Sequence, residues 1–302
     1  MRLEKRRTRV SGGEIAFFDS GRGKPVVFLH GFPTSSHLWR DLAPLVSGAA
    51  RAVAPDLLGY GDSEKPEAER LDIRAQAGYV RELLEGLRIE SFAAVGHDIG
   101  GGVAQLLALE GGVQALVLID SISFDSWPIE GVRLLQDTEL SRMDEGLART
   151  VVTVAFEQGM AHRDRLAEGD LEEYLRPWRE NPAALVRAVR GIDGRGLAGT
   201  EDRLATLGIP SFVLWGENDP YQPASLAERL GDALPGSTVA LLPGCSHFVL
   251  DDAPETAAPL VFEYLRTMYL KEPRHAPGSA GSEELGIEFD RPEEPPEDLP
   301  DE

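Results

Sequence analysis

The segment that most limits how this chain can fold is 92–109. The apolar run Phe92–Val95 has the length and flanks of a buried strand. It passes without a spacer into Gly96-His97-Asp98-Ile99-Gly100-Gly101-Gly102, and then into an apolar helical stretch that ends near Leu109. A strand that turns straight into a helix leaves no room for side chains two before and two after the apex, so glycine stands at both places. Asp98, at the apex, is pushed outwards beside the first amides of a helix, where negative charge is favoured. A bare Gly-x-Asp-x-Gly would equally suit a helix cap between glycines; the strand before it and the helix after it set this one apart.

The same alternation runs along most of the chain. Glu14–Phe18, Pro25–Leu29, Arg51–Pro55, Ala115–Ile119, Ser211–Trp215 and Thr238–Leu242 read as strands. Ser36–Val46, Ile73–Leu87, Ala224–Leu230 and Thr256–Tyr269 read as helices; in the second, Tyr79, Leu83, Leu84 and Leu87 recur at helical spacing. Strands alternating with helices imply an α/β fold with a mostly parallel sheet covered on both faces. From Ser121 to Ala205 the alternation stops. Val132–Asp137, Gly146–Phe156, Asp170–Leu175 and Ala183–Val189 are helical candidates, and no convincing strand is present. This stretch reads as an all-helical cap over 123–205, inserted into a core of 1–122 and 206–270. It is long enough to cover the edge of the sheet where open α/β sheets bind ligands.

The 302 residues carry a net charge of −21, which argues against nucleic acid and against an anionic membrane surface. Residues 271–302 hold 11 acids, 3 bases and 6 prolines, with Phe289 as their one aromatic, so an acidic disordered tail is expected there. The single cysteine, Cys245, permits no intrachain disulfide and fits a reducing compartment. The basic N-terminus is followed by no apolar signal stretch, so a cytoplasmic location is expected. No cluster shows metal-ligand spacing, and no metal or cofactor is implied.

Two further loops carry chemistry. Gly216-Glu217-Asn218-Asp219-Pro220 follows a strand, and a carboxylate there can accept from a histidine N–H, fixing its tautomer. Asp219 is preferred; Asp120, at the end of the preceding strand, is the rival for this acid. His247, in Gly244-Cys245-Ser246-His247-Phe248, follows the last strand. The order Asp98, Asp219, His247 is that of a nucleophile, an acid and a histidine. The other histidines lack such support, and Cys245 reads as a small buried residue.

With these motifs in place, residues 14–270 resemble the α/β-hydrolase superfamily, a sheet of about eight strands with a helical cap. Asp98 in Gly-His-Asp-Ile-Gly-Gly is similar to the branch that contains epoxide hydrolases and haloalkane or haloacetate dehalogenases. The resemblance implies that His30-Gly31-Phe32-Pro33 supplies half of an oxyanion hole through the Phe32 N–H, with the Ile99 N–H as the other half. It also implies a small-molecule substrate and water as partners. A carboxylate is already an anion at neutral pH, so Asp98 suits displacement at a saturated carbon, giving an alkyl ester that His247 hydrolyses with water.

The leaving group divides the branch. Epoxide hydrolases protonate the ring oxygen from cap tyrosines; here the candidates are Tyr174 and, as a partner, His162. Haloalkane dehalogenases place a tryptophan after the nucleophile, where this chain has Ile99, although Trp127 and Trp178 could offer indole N–H groups. Haloacetate dehalogenases place arginines there, and this chain has none. Epoxide hydrolysis is the leading expectation, with dehalogenation next. A non-catalytic ligand-binding protein, or an esterase in which His247 activates water directly, are the readings of other kinds.

Overall fold

The computed structural model describes residues 3–193, 196–271, 286, 287 and 289. Eight strands form one sheet: β1 (Lys5–Val10), β2 (Gly13–Asp19), β3 (Pro25–Leu29), β4 (Arg51–Pro55), β5 (Phe92–His97), β6 (Val113–Ile119), β7 (Ser211–Gly216) and β8 (Thr238–Leu242). Their order is β1-β2-β4-β3-β5-β6-β7-β8. β2 pairs antiparallel with both β1 and β4, and every other pairing is parallel.

Side chains along a strand alternate between the faces. Val26 and Phe28 of β3 therefore join one apolar cluster, with Leu42 and Val46 of α1 (Leu42–Ser47) and Leu260 and Val261 of α11 (Pro254–Tyr264). Val27 and Leu29 join the other, with Val80 and Leu83 of α2 (Ile73–Gly86) and Val103 and Leu107 of α3 (Ile99–Glu110). α9 (Ser225–Ala233) adds Leu226 and Leu230 to that second cluster.

Between β6 and β7 the described residues form only helices: α4 (Glu130–Gln136), α5 (Glu145–Gly159), α6 (Glu168–Glu180), α7 (Pro182–Arg190) and α8 (Glu201–Leu204), with short 3-10 turns at Leu140–Arg142 and Arg163–Arg165. These make the cap. The chain runs from β3 outwards to β4 and then crosses to β5 on the other side of β3. That reversal opens a crevice at the carboxyl ends of β3 and β5, the place where such sheets take ligands.

The fold departs from the sequence reading at four places. β1 had no apolar signal, because Lys5-Arg6-Arg7-Thr8-Arg9 is a mostly exposed edge strand, and edge strands are often charged. Ser36–Val46 is a 3-10 turn over Ser36–Trp39 followed by a separate α1. Pro44 is the reason: it has no N–H to give to Arg40 and is tolerated only in a first turn. The last helix runs as α11 and then as a π-helical stretch, Leu265–Leu270, preceded by the short α10 (Val249–Asp252).

Most of the tail lies outside the described residues. Phe289, however, is buried, with its ring edge-on to Phe212 at 5.3 Å and to Tyr264 at 5.2 Å. The expectation of a wholly disordered tail is corrected at that residue: its one aromatic side chain has an apolar site to fill.

Candidate active site

Asp98 sits between β5 and α3 with φ 50° and ψ −121°, a conformation rare for any residue but glycine. The flanking glycines make it possible. A Cβ at Gly100 would lie 2.0 Å from the Leu29 carbonyl oxygen, and one at Gly96 would lie 2.4 Å from the Gly100 carbonyl oxygen. The turn thus packs backbone on backbone, and Asp98 is presented in the crevice beside β3.

The two oxygens of this buried carboxylate differ. Oδ2 accepts the Phe32 N–H at 2.9 Å. Oδ1 has no hydrogen-bond partner among the described residues, and Asp98 lines a cavity of about 300 Å³. Burial pushes the carboxyl up to about 6, against the opposing pull of His247 and of the Phe32 and Ile99 amides. The two amides expected to form an oxyanion hole therefore both act on the same carboxylate.

His247 lines the same cavity, and its Nδ1 lies 2.8 Å from Asp219 Oδ2. Asp219 Oδ1 accepts the backbone N–H groups of Tyr221 at 2.7 Å and Gln222 at 2.9 Å, so the carboxylate is fixed at both ends. Burial alone would lower the pKa of His247; the charges of Asp219 and Asp98 outweigh it and raise the imidazole above its ordinary value. Asp219 is thus the acid in contact with His247. Asp120, the rival, is buried close by and accepts the Gly216 N–H at 2.8 Å.

Of the four cap side chains singled out from the sequence, one reaches the cavity. Trp127 lines it, and its buried indole N–H has no partner among the described residues. The Trp178 indole N–H donates to the Pro33 carbonyl at 2.8 Å. The Tyr174 hydroxyl accepts from Arg40 at 3.1 Å and donates to Asp251 at 3.3 Å, completing a buried ion pair between core residues. His162 is exposed, its backbone N–H donating to Asp252 at 2.8 Å. Tyr174, Trp178 and His162 are therefore not among the residues that line the cavity, and for the first two a polar partner elsewhere holds the side chain.

Two residues escaped the sequence reading. Tyr221 follows the acid loop and lines the cavity, its ring edge-on to His247 at 5.1 Å and its hydroxyl donating to the Ala155 carbonyl at 2.9 Å. Its closeness to Asp219 in sequence was the available signal. His97, next to the apex, is buried with Nε2 at 3.0 Å from the His247 carbonyl oxygen. Burial holds its pKa well below the usual value. A neutral ring facing a carbonyl carries its proton on that nitrogen, so His97 braces the His247 backbone.

The rest of the cavity is apolar. Phe32 and Phe248 close it on the core side, Val132 and Leu135 of α4 and Val151 and Val154 of α5 on the cap side. Among the described residues no three His, Cys, Asp or Glu side chains are grouped to hold a metal ion, and no helix is long and apolar enough to cross a membrane.

A strand–turn–helix apex aimed into a crevice, with an acid and a histidine on the loops after β7 and β8, defines a hydrolase. Residues 24–254 match the family model of the alpha/beta hydrolase fold, and the chain belongs to that family. Among its relatives is haloalkane dehalogenase 2 of Mycobacterium tuberculosis, 28% identical over 268 residues, spanning 84% of this chain and 92% of the relative. Another is the soluble epoxide hydrolase of Corynebacterium sp. (strain C12), 38% identical over 275 residues, spanning 82% and 91%. Among solved structures, an alpha/beta hydrolase fold protein from Burkholderia ambifaria superposes with a TM-score of 0.79 at 27% identity, covering 85% of this chain and 96% of that one.

Proposed function

We propose that this hydrolase cleaves small apolar electrophiles at a saturated carbon through an alkyl ester of Asp98. The observation that carries this reading is Asp98 Oδ1: a buried carboxylate oxygen without a partner among the described residues, at the wall of an apolar cavity, while Oδ2 is held by the Phe32 amide. A lone pair of Oδ1 attacks the carbon, and the leaving group departs with the bonding electrons. His247 then takes a proton from water as the water oxygen attacks the Asp98 carboxyl carbon. The negative charge gathers on Oδ2, beside the Phe32 and Ile99 amides, and each such donor is worth about 3 kcal/mol. Collapse expels the alcohol oxygen, which receives the proton from His247 and leaves Asp98 as a carboxylic acid. The remaining water proton then passes to the neutral His247 and on to solvent, which restores the Asp98 carboxylate.

The charge of Asp98 helps to keep His247 protonated. Ester formation removes that charge, so the imidazole becomes a better-populated neutral base at the step that needs one.

For the leaving group, the geometry favours a halide. The unpartnered Trp127 indole N–H is a donor at the cavity wall, and an N–H in an apolar site suits a departing anion. The donors expected for an epoxide oxygen, Tyr174 and His162, are not at the cavity. A second reading, epoxide hydrolysis, has support from Tyr221. Its hydroxyl stays protonated because burial raises its pKa, and turning from the Ala155 carbonyl would let it protonate a ring oxygen. The soluble epoxide hydrolase relative points the same way.

The test is intact mass of His247→Gln after incubation with panels of haloalkanes and of terminal epoxides. An adduct equal to the haloalkane less HX is expected, and an adduct equal to a whole epoxide would select the second reading. No adduct from either panel, with turnover by the parent enzyme, would sink the alkyl ester. Trp127→Phe should slow alkylation by haloalkanes roughly tenfold.

A further inference from the structure

Asp120 is not used by the chemistry above, yet it is buried against it. It follows β6 directly with φ 42°, strained for a residue with a side chain. Its N–H donates to the Leu214 carbonyl at 3.1 Å, and its Oδ1 accepts the Gly216 N–H at 2.8 Å, so backbone bonds to β7 and to its end pin it. Its Oδ2 has no donor among the described residues. Asp120 and Asp219 are both bonded to Gly216, whose N–H donates to Asp120 and whose carbonyl accepts the Asp219 N–H at 3.2 Å, and the Asp219 carboxyl is a side-chain hydrogen-bond neighbour of Asp120.

Two carboxyls in contact in a buried site cannot both be ionised. The number of N–H donors on each decides which keeps the proton. Asp219 receives two backbone N–H groups and faces His247 Nδ1. Asp120 receives one. The other nearby acid, Asp252, is held by the backbone N–H groups of Ser246, Ala161 and His162, and adds further negative charge around Asp120. The Cys245 thiol also lies within the influence of Asp120 and Asp252.

We propose that Asp120 is a neutral, protonated positioning residue that donates a hydrogen bond to Asp219. The proton remains on Asp120; what it supplies is a donor that keeps the Asp219 carboxyl oriented towards His247. Burial and the Asp219 charge, which hold the Asp120 carboxyl well above the usual carboxylate range, are in keeping with this. The benefit to ester hydrolysis rests on the function proposed above; the shared proton itself does not.

The experiment compares Asp120→Asn with Asp120→Ala. Asparagine keeps the oxygen that accepts from Gly216 and offers an N–H in place of the O–H. Asp120→Asn should hydrolyse the Asp98 ester at a rate within about twofold of the parent, with an unchanged pH profile. Asp120→Ala should slow that step roughly tenfold or more, the effect of losing one hydrogen bond to a charged group. Infrared spectra of protein labelled with 13C at the aspartate carboxyls should show a protonated carboxyl at pH 8 in the parent that is missing from Asp120→Asn. Absence of that band in the parent overturns the proposal, whatever the substrate. So does a hundredfold loss in Asp120→Asn, which would make Asp120 an ionised acid. Failure of the mass adducts, by contrast, would remove the alkyl ester while leaving the infrared result standing.

Discussion

Asp98 stores energy by being charged where water is absent. Its carboxyl is raised from 3.8 to about 6 in the folded protein, chiefly by burial. A raised carboxyl favours the folded state only while protonated. That contribution is fully present below about pH 4 and is lost as pH rises through 6. The move from 3.8 to about 6 corresponds to about 3 kcal/mol. Asp98→Asn should therefore be more stable than the parent by about that amount at pH 8, and the gap should close near pH 4. Urea denaturation at the two pH values measures it, and equal differences at both would contradict the assignment. Asp98, Asp219 and His247 were legible because each sits just past a strand whose apolar run announces itself. Tyr174, Trp178 and His162 were not, because the reach of a cap side chain depends on how its helix is turned and on which polar group claims it first.

At the scale of elements, α6 is tied to the core by Tyr174, which bridges Arg40 and Asp251. Tyr174→Phe should leave turnover within about twofold of the parent, whichever leaving group is used. It should cost about 1–3 kcal/mol of stability, because it leaves each partner of a buried ion pair short of one hydrogen bond. A large fall in epoxide turnover with unchanged stability would instead return Tyr174 to the chemistry. Seven of the eight strands could be read from apolar runs, and the four cap helices longest in residues from their periodicity. β1 could not, since an exposed edge strand needs no apolar residues. The break within Ser36–Val46 was written in Pro44, a residue whose weight depends on where the helix begins.

Over the whole molecule, the surplus of 51 acids against 30 bases keeps the chain far from neutrality. Composition could report that the tail is acidic and proline-rich. It could not report that Phe289 finds a site between Phe212 and Tyr264 on the core, because an apolar side chain says only that it will be buried, not where. Phe289→Ser should cost roughly 2 kcal/mol, the worth of burying one such ring. It should lower Tm by several degrees with no change in activity. A Tm equal to that of the parent would show that the contact adds nothing.

Val154 of α5 lines the cavity that holds Asp98 and is also 38% exposed, so the pocket reaches the surface beside α5. The far end of a long alkyl substrate then meets the same surroundings before and during bond breaking. Lengthening that end adds affinity without touching the barrier. Homologous substrates supplied singly would be processed unequally when scarce and alike at saturation. Under the function proposed here, such an enzyme ranks a mixture by chain length at any concentration, because competing substrates divide it in the ratio of their kcat/KM values.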